Sequence, residues 1–230
     1  ARVKGFQGLR LGSTDAVMAC AKHFVGYGAA IAGRDYTGVD MSLNQLWEFY
    51  LPPFEAAKDA GVATFMNAFN VLNGIPATGN TYLQQKVLKE KWQFKGFMVS
   101  DWGSIGEMMQ WGYVENEMKA AEKAIIAGND MDMESRIYIS SLKQLLRDKK
   151  INISQIDNAV KRILYKKFEL GLFDDPFKFC NEEREKQAIQ DPSHAVTALD
   201  IAQKSMVLLR ILYKILQEFS ITYTALILIE

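Results

Sequence analysis

Short apolar runs alternate along this sequence with longer amphipathic segments, and this alternation constrains the fold more than any other feature. The apolar runs cover residues 17–24, 61–70 and 96–101, with a fourth candidate strand within residues 124–133. Helices are predicted between them over residues 42–60, with Ser42 as the N-cap, and over residues 81–92. Continuous apolar strands separated by helices indicate a parallel sheet covered by helices.

Two parallel α/β architectures fit this alternation, a doubly wound sheet and a (β/α) barrel. The barrel is favoured because polar residues follow the predicted strands, namely Lys22 and His23, Asn67 and Asn70, and Asp101. In a barrel, chemistry collects at the rim formed by the carboxyl ends of the strands. A complete barrel takes about 250 residues. The chain has 230 residues including a tail, so an incomplete (β/α) barrel of the TIM type is expected.

The sequence changes character after residue 135, where two helices are predicted over residues 137–149 and 154–168. For the second helix, Ser154 and Asp157 are typical of a capping box, and Gly171 is the expected stop. Its predicted apolar face is Ile156, Val160, Ile163 and Leu164. Its basic residues are Lys161, Arg162, Lys166 and Lys167. A solvated face is favoured over a nucleic-acid patch for them, because 27 Lys+Arg balance 27 Asp+Glu.

No metal or organic cofactor is expected. The two cysteines, Cys20 and Cys180, are far apart in sequence and belong to no Cys/His cluster, which excludes the usual zinc motifs. The pair Gly26 and Gly28 lacks the third glycine of a dinucleotide-binding loop, because position 31 is Ile. The run from Asp130 to Glu134 opens like a calcium loop, but Ser135 and Ser141 replace the required Gly and Glu.

Asp101 is the most informative candidate for catalysis. An apolar strand that ends in Ser-Asp-Trp-Gly places a carboxylate at the mouth of the sheet with the indole of Trp102 beside it. An aromatic ring next to a carboxylate suits a sugar, whose apolar face stacks while its hydroxyls form hydrogen bonds. Lys22 and His23 fit two interpretations equally, a pair of donors for ligand hydroxyls or a snorkelling lysine beside a core histidine.

Several motifs in this sequence resemble glycoside hydrolase family 3, and most closely its bacterial β-glucosidase branch. They occur in family order over about residues 4–210. They are Lys22-His-Phe24, Gly33-Arg-Asp-Tyr36, Val39-Asp-Met-Ser42, Met66 to Asn70, Leu72 to Thr78, Val99-Ser-Asp-Trp-Gly103, Ala127 to Met133, Phe168 to Asp174 and Lys204 to Leu209.

This resemblance implies a retaining β-glycosidase that acts on terminal β-glucosides through a covalent glycosyl-enzyme intermediate. By position, Asp101 would be the nucleophile, Lys22, His23 and Arg34 would bind sugar hydroxyls, and Trp102 would wall the cleavage subsite. Phe69 stands where some relatives have a Tyr near the nucleophile.

The N-acetylglucosaminidase branch of the family is disfavoured. That branch carries a second His shortly after its Lys-His-Phe, whereas this chain continues with Val25 to Gly28. The other histidine of the chain is His194, which lies far along the sequence. A β-xylosidase or another exo-β-glycosidase of the same family, and a catalytically incompetent fragment, remain alternatives.

The resemblance also implies an internal fragment of a longer enzyme. Residues 1–173 would be the C-terminal part of the barrel, 174–210 a linker and helix, and 211–230 a divergent or truncated start of an α/β sandwich domain. The early barrel strands, the sandwich domain and a Glu serving as acid/base would lie outside the chain. The expected partner is a small oligosaccharide or β-glucoside, without nucleic acid or membrane. The resemblance suggests a periplasmic or secreted enzyme, although residues 1–8 show no signal peptide.

The tail is expected to be a liability. Residues 222–229 are apolar, have strong β-propensity and carry little charge, so an unpaired strand there would promote association. Lys214, Gln217 and Glu218 argue against a transmembrane helix in this region.

Overall fold

A computed structural model describes residues 1–207, and the chain divides into two compact units, Ala1–Phe179 and Cys180–Glu230. The tail from Ile211, for which association was predicted, lies outside the described residues. The proposed domain boundary after residue 173 stays a prediction. No helix among residues 1–207 is long and apolar enough to cross a membrane.

A small parallel sheet organises the first unit. The strands are β1 (Cys20–Phe24), β2 (Thr64–Asn67), β3 (Val71–Leu72), β4 (Ile75–Pro76) and β5 (Phe97–Val99). In this sheet β2 lies between β1 and β5 and is parallel to both, whereas β3 and β4 form a separate antiparallel pair. The predicted parallel pairing is therefore confirmed. The fourth predicted strand is reduced to one parallel bridge, Val99 to Met131, because residues 124–127 belong to a helix that ends at Gly128.

Helices connect and cover these strands, as the alternation predicted. They are α1 (Arg2–Gln7), α2 (Leu43–Gln45), a π-helix (Leu46–Tyr50), α3 (Pro52–Asp59), a second π-helix (Tyr82–Lys91), α4 (Ser104–Gln110), α5 (Glu117–Ala127), α6 (Ile137–Arg147) and α7 (Ile153–Glu169). Ser42 is the N-cap of α2, and its hydroxyl accepts the Gln45 N–H at 3.1 Å. The predicted 42–60 helix is interrupted at Leu51, because Pro52 supplies no backbone donor and starts a new helix at its first position.

The start of α7 differs from the sequence prediction. Asn152, not Ser154, is the N-cap, and Gln155 completes the capping box by accepting the Asn152 N–H at 2.8 Å. The sequence offers two patterns with capping-box spacing, Ser154 to Asp157 and Asn152 to Gln155. The helix starts at the earlier one, so the prediction of Ser154 is wrong. The stop is as predicted, since Gly171 adopts φ +76°, a left-handed conformation that glycine takes without steric cost.

The faces of α7 also differ from expectation. Arg162 is not part of a solvated face, because its guanidinium donates to the carbonyls of Phe94 and Gly96, both at 2.9 Å. On the predicted apolar face, Val160 and Leu164 are 46% and 44% exposed. Periodicity identified which residues share a face of this helix, but it could not identify which neighbouring element covers that face.

Two buried clusters hold the first unit together. One joins the sheet to the preceding helices, and in it the Phe24 ring packs edge-on against Phe54 and Phe65 at centroid distances of 5.2 and 5.5 Å. The other is built from α4, α5, α6 and α7 around Met108, Ala124 and Leu145. The first cluster includes Met98, which is fully buried at the middle of β5.

The second unit contains α8 (Glu182–Gln190) and α9 (Pro192–Ser205) among its described residues. Each helix starts at a side-chain cap. The Asn181 side chain accepts the Arg184 N–H, and the Asp191 side chain accepts the Ser193 N–H.

Gly96→Ala is expected to destabilise the first unit by about 3 kcal/mol, because a Cβ at this position would lie 1.9 Å from the Ala63 carbonyl oxygen. The ring edge of Phe94 would also be 2.4 Å away, and both Ala63 and Phe94 are buried. Urea unfolding followed by circular dichroism measures the change. Gly5→Ala is the matched control, since its Cβ meets nothing within 4 Å. Equal midpoints for the two variants would contradict the packing described for residue 96.

Candidate active site

Asp101 follows β5 directly, at the carboxyl end of the sheet. The backbone leading to it is held by Ser100, whose N–H donates to the Met131 carbonyl at 2.9 Å and whose hydroxyl accepts the Met133 N–H at 2.8 Å. On the other side, the Ser104 N–H donates to the Asp101 carbonyl at 3.1 Å. The carboxylate is therefore attached to a turn that is hydrogen-bonded at both ends.

The two oxygens of the Asp101 carboxylate have different surroundings. Oδ1 accepts the Trp102 N–H at 2.7 Å. Oδ2 is buried and accepts no hydrogen bond from the described residues. Its neighbour is His23 Nε2 at 3.4 Å, at the end of β1. One oxygen is thus held by a hydrogen bond, whereas the other is buried without one.

His23 has competing influences on its protonation. Burial lowers the pKa of the imidazole, and the nearby Asp101 carboxylate opposes this shift. The net direction is downward, so neutral imidazole predominates at pH 7. At 3.4 Å from Oδ2, His23 Nε2 is a neighbour of the carboxylate but forms no hydrogen bond with it.

The other predicted site residues are exposed. Within residues 1–207, neither the Lys22 ammonium nor the Arg34 guanidinium has a hydrogen bond or ion pair with another described residue. Trp102 is 63% exposed beside Asp101. The structure thus brings His23 next to Asp101, with Lys22 and Trp102 adjacent to them in the chain. It shows no direct contact of Arg34 with Asp101.

An aromatic wall stands beside His23 and consists of Tyr27, Tyr36 and Phe69. The Phe69 ring lies 5.1 Å from the Tyr36 ring and 6.3 Å from the Tyr27 ring, measured between centroids. Tyr27 packs edge-on against His23 at 5.3 Å. Because aromatic faces are apolar, this wall offers a stacking surface next to the polar groups at the strand ends.

Two carboxylates hold the hydroxyls of the wall. Asp35 accepts the Tyr27 hydroxyl, and Glu107 of α4 accepts the Tyr36 hydroxyl at 3.3 Å. Burial, followed by the hydrogen bond and charge of Asp35, raises the pKa of Tyr27. Burial also raises the pKa of Glu107, and the charges of Asp101 and Asp35 add to this rise. The negative charge of Asp101 therefore contributes to the raised pKa values of both Tyr27 and Glu107.

Sequence reasoning missed four of these residues, namely Tyr27, Asp35, Tyr36 and Glu107. Asp35 and Tyr36 lie in the Gly33-Arg-Asp-Tyr36 motif, from which only Arg34 was selected. Glu107 had one readable signal, since it is charged within the otherwise uncharged run from Ser104 to Gln110. Nothing in the spacing of the residues linked it to Tyr36.

The arrangement suits a polyhydroxylated ring. Cationic and imidazole donors bind hydroxyls, aromatic faces cover apolar ring edges, and a carboxylate oxygen without a hydrogen bond can attack an electrophilic carbon. Among the described residues no group of three or more His, Cys, Asp or Glu side chains could hold a metal ion.

Comparison with known proteins connects this geometry to a family. Residues 1–165 match the model of the glycosyl hydrolase family 3 N-terminal domain. A periplasmic β-glucosidase of Salmonella typhimurium is 36% identical over 211 residues, covering 90% of this chain and 28% of the relative. A β-xylosidase of Formosa agariphila is 36% identical over 203 residues, covering 84% of this chain and 28% of the relative.

A solved structure gives the same result. A mutant β-glucosidase from Listeria innocua in complex with laminaribiose superimposes with a TM-score of 0.81 at 40% identity, over 84% of this chain and 27% of that one. The chain thus spans between a quarter and a third of the length of these relatives. The matches confirm the resemblance seen in the sequence motifs. The chain belongs to glycoside hydrolase family 3.

Proposed function

We propose that this chain carries the nucleophile and part of the sugar-binding residues of a retaining β-glucosidase, with Asp101 as the nucleophile. The observation that carries the proposal is the Asp101 carboxylate at the end of β5, with Oδ1 anchored and Oδ2 free of hydrogen bonds beside His23. The β-glucosidase relatives from Salmonella typhimurium and Listeria innocua support the substrate class.

In the proposed reaction, Asp101 Oδ2 attacks the anomeric carbon of a β-glucoside. A bond forms between that carbon and Oδ2, while the bond to the leaving oxygen breaks and its electron pair departs with the leaving group. A general acid protonates that oxygen, and water then hydrolyses the glycosyl ester. The family resemblance supports a Glu outside this chain as the acid.

Lys22, His23 and Arg34 are proposed to hold the sugar hydroxyls. Lys22 and Arg34 suit this role because their cationic groups have no partner within residues 1–207. His23 combines two contacts, since its ring faces Asp101 Oδ2 on one side and the Tyr27 ring on another. Trp102 would cover an apolar face of the sugar or of its leaving group.

The scaffold proposed for this site is an incomplete TIM-type barrel over residues 1–173. Three parallel strands and the Val99–Met131 bridge follow one another around the sheet in chain order, as barrel strands do. β1 is an edge strand in the described part of the chain, where an additional barrel strand could pair. The linker over residues 174–210 and the start of a sandwich domain over 211–230 complete this proposed organisation.

A periplasmic location is proposed on the description of the Salmonella typhimurium relative. A second substrate class is supported by the β-xylosidase relative from Formosa agariphila. The two sugars differ at one hydroxymethyl group, so the residues around the sugar decide between them.

Covalent trapping of the 230-residue chain tests the proposal. A 2,4-dinitrophenyl 2-deoxy-2-fluoro-β-glucoside has a leaving group that needs no proton, and its fluorine slows hydrolysis of the glycosyl ester. We expect one fluoroglucosyl group on Asp101, located by peptide mass spectrometry, and labelling at least about 10-fold faster than with the matching fluoroxyloside. Faster xylosyl labelling would favour the xylosidase. Absence of labelling by both reagents would refute the assignment of Asp101.

A further inference from the structure

Glu107 links two parts of the site that are distant in sequence. It lies in the first turn of α4, which begins three residues after Asp101, and its Oε1 accepts the hydroxyl of Tyr36 at 3.3 Å. Its Oε2 is buried and has no hydrogen bond from the described residues. Ile105 and Met108 of the same helix are fully buried in the core. Glu107 is therefore on a different face of α4 from the residues that anchor the helix.

Tyr36 needs such a contact to hold its position. Its φ of +56° lies in the left-handed region, which a bulky side chain rarely adopts without support from its surroundings. The residue is 48% exposed, so burial alone does not hold it. The side-chain contacts recorded for this residue are the Phe69 ring at 5.1 Å and the Glu107 carboxylate.

A simple solvated role does not describe Glu107. A solvated glutamate would have both oxygens in water, whereas one oxygen here is buried and the other accepts a tyrosine hydroxyl. Burial raises the pKa of the carboxyl group, which is the shift expected when water is removed from it. Burial and the nearby Asp101 charge both disfavour the ionised form of Glu107, so keeping a carboxyl group here costs free energy. This cost points to a role for its hydrogen bond with Tyr36.

We propose that Glu107 is a positioning residue whose hydrogen bond to Tyr36 holds the aromatic wall of Tyr27, Tyr36 and Phe69 in place to receive the substrate beside Asp101. The inference rests on the proposed function and extends it by assigning substrate positioning to two residues that do not take part in the bond-breaking step. Glu107 acts through Tyr36, and the wall is the surface that meets the sugar.

The trapping reaction tests this role through its concentration dependence. Tyr36→Phe and Glu107→Ala should each raise the fluoroglucoside concentration needed for half-maximal labelling by about 10-fold, with the maximal rate within about twofold of the parent chain. The double variant should lose no more than either single variant, because both remove the same hydrogen bond. Glu107→Gln keeps an acceptor oxygen and should restore nearly the parent value.

Tyr82→Phe is the matched control for Tyr36→Phe. The Tyr82 hydroxyl is also hydrogen-bonded, accepting the Trp47 indole N–H at 2.9 Å. It lies in the second π-helix, and no ring contact or hydrogen bond among the described residues joins it to the aromatic wall. We expect no change in labelling for this variant. Additive losses for Tyr36→Phe and Glu107→Ala, or a Glu107→Gln variant as impaired as Glu107→Ala, would overturn the proposal.

A second readout does not depend on catalysis. Burial first, and then the charge and hydrogen bond of Glu107, raise the pKa of Tyr36. Ultraviolet titration of the tyrosines should therefore show that Glu107→Ala lowers the pKa of the tyrosine whose transition is missing in Tyr36→Phe. If the parent chain is not labelled at all, the proposed function fails, while this titration still decides whether Glu107 holds Tyr36. An unchanged tyrosine titration would refute the positioning role.

Discussion

Asp101→Asn is expected to lower the rate of dinitrophenolate release from a dinitrophenyl β-glucoside by about 10⁴-fold or more. An amide oxygen is a poor nucleophile and cannot form the glycosyl ester. Sugar binding should survive, because Lys22, His23 and Arg34 are unchanged. Absorbance measures release, and ligand-observed NMR with laminaribiose measures binding.

Cellobiose, whose leaving group is not activated, provides a comparison with the dinitrophenyl β-glucoside. Cellobiose has a leaving group that needs a proton, and loss of general acid catalysis costs about 10²–10⁴-fold by itself. The 230-residue chain is therefore expected to show no measurable cellobiose hydrolysis. Asp59→Asn, which alters an exposed carboxylate at the end of α3, is the control for Asp101→Asn and should release dinitrophenolate at the rate of the parent chain. Robust cellobiose turnover that survives Asp101→Asn would contradict both the nucleophile and the external acid.

Asp130→Ala should destabilise the first unit by about 3–5 kcal/mol, because it takes the acceptor from the Met98 N–H and leaves the buried Lys89 ammonium with only the Gly128 carbonyl, without a counter-charge at hydrogen-bond distance. Asp130 Oδ1 accepts the Lys89 ammonium at 2.6 Å, and Oδ2 accepts the Met98 N–H of β5 at 2.8 Å. The Lys89 side chain is only 9% exposed. Burial lowers the pKa of Lys89, which is consistent with the cost of keeping its charge out of water. Denaturant unfolding monitored by circular dichroism measures the loss.

Glu90→Ala is the matched control for this prediction. It breaks the exposed Lys86–Glu90 pair in the same helical segment as Lys89, and exposed pairs contribute no more than about 1 kcal/mol. Asp130→Asn retains an acceptor for the Met98 N–H, so we expect an intermediate loss. If Asp130→Ala and Glu90→Ala unfolded at the same denaturant concentration, Asp130 would not be the anchor of β5.

The effect of Asp130 also reaches the active site through β5. Met98 lies three residues before Asp101, and the strand between them is held by Asp130 on one side and by the Met131 carbonyl at Ser100. Arg162 holds the segment just before β5 by donating to the Phe94 and Gly96 carbonyls. The contacts that fix β5 are therefore spread along it, from the segment before the strand to Ser100 next to the nucleophile candidate.

Local patterns in the sequence were sufficient for the parallel strands, most helices and the position of Asp101. An apolar strand that ends in a carboxylate can be recognised from adjacent residues, because a strand buried on both faces is a continuous run of apolar residues in the sequence. Helix ends were less exact. Two overlapping cap patterns begin at Asn152 and Ser154 with the same spacing, and in the structure α7 starts at the earlier one.

The sequence by itself determined the family, the order of strands and helices, and the nucleophile candidate, since these depend on residue types at short spacing. Only the tertiary structure decided which distant groups meet: His23 with Asp101, Tyr36 with Glu107, and Arg162 with the Gly96 carbonyl. The physical reason is that periodicity records whether a side chain avoids water, whereas its partner is chosen by how whole elements pack. Sequence patterns therefore predict a solvated position for a charged residue such as Arg162, and only the structure shows the backbone carbonyls to which it donates.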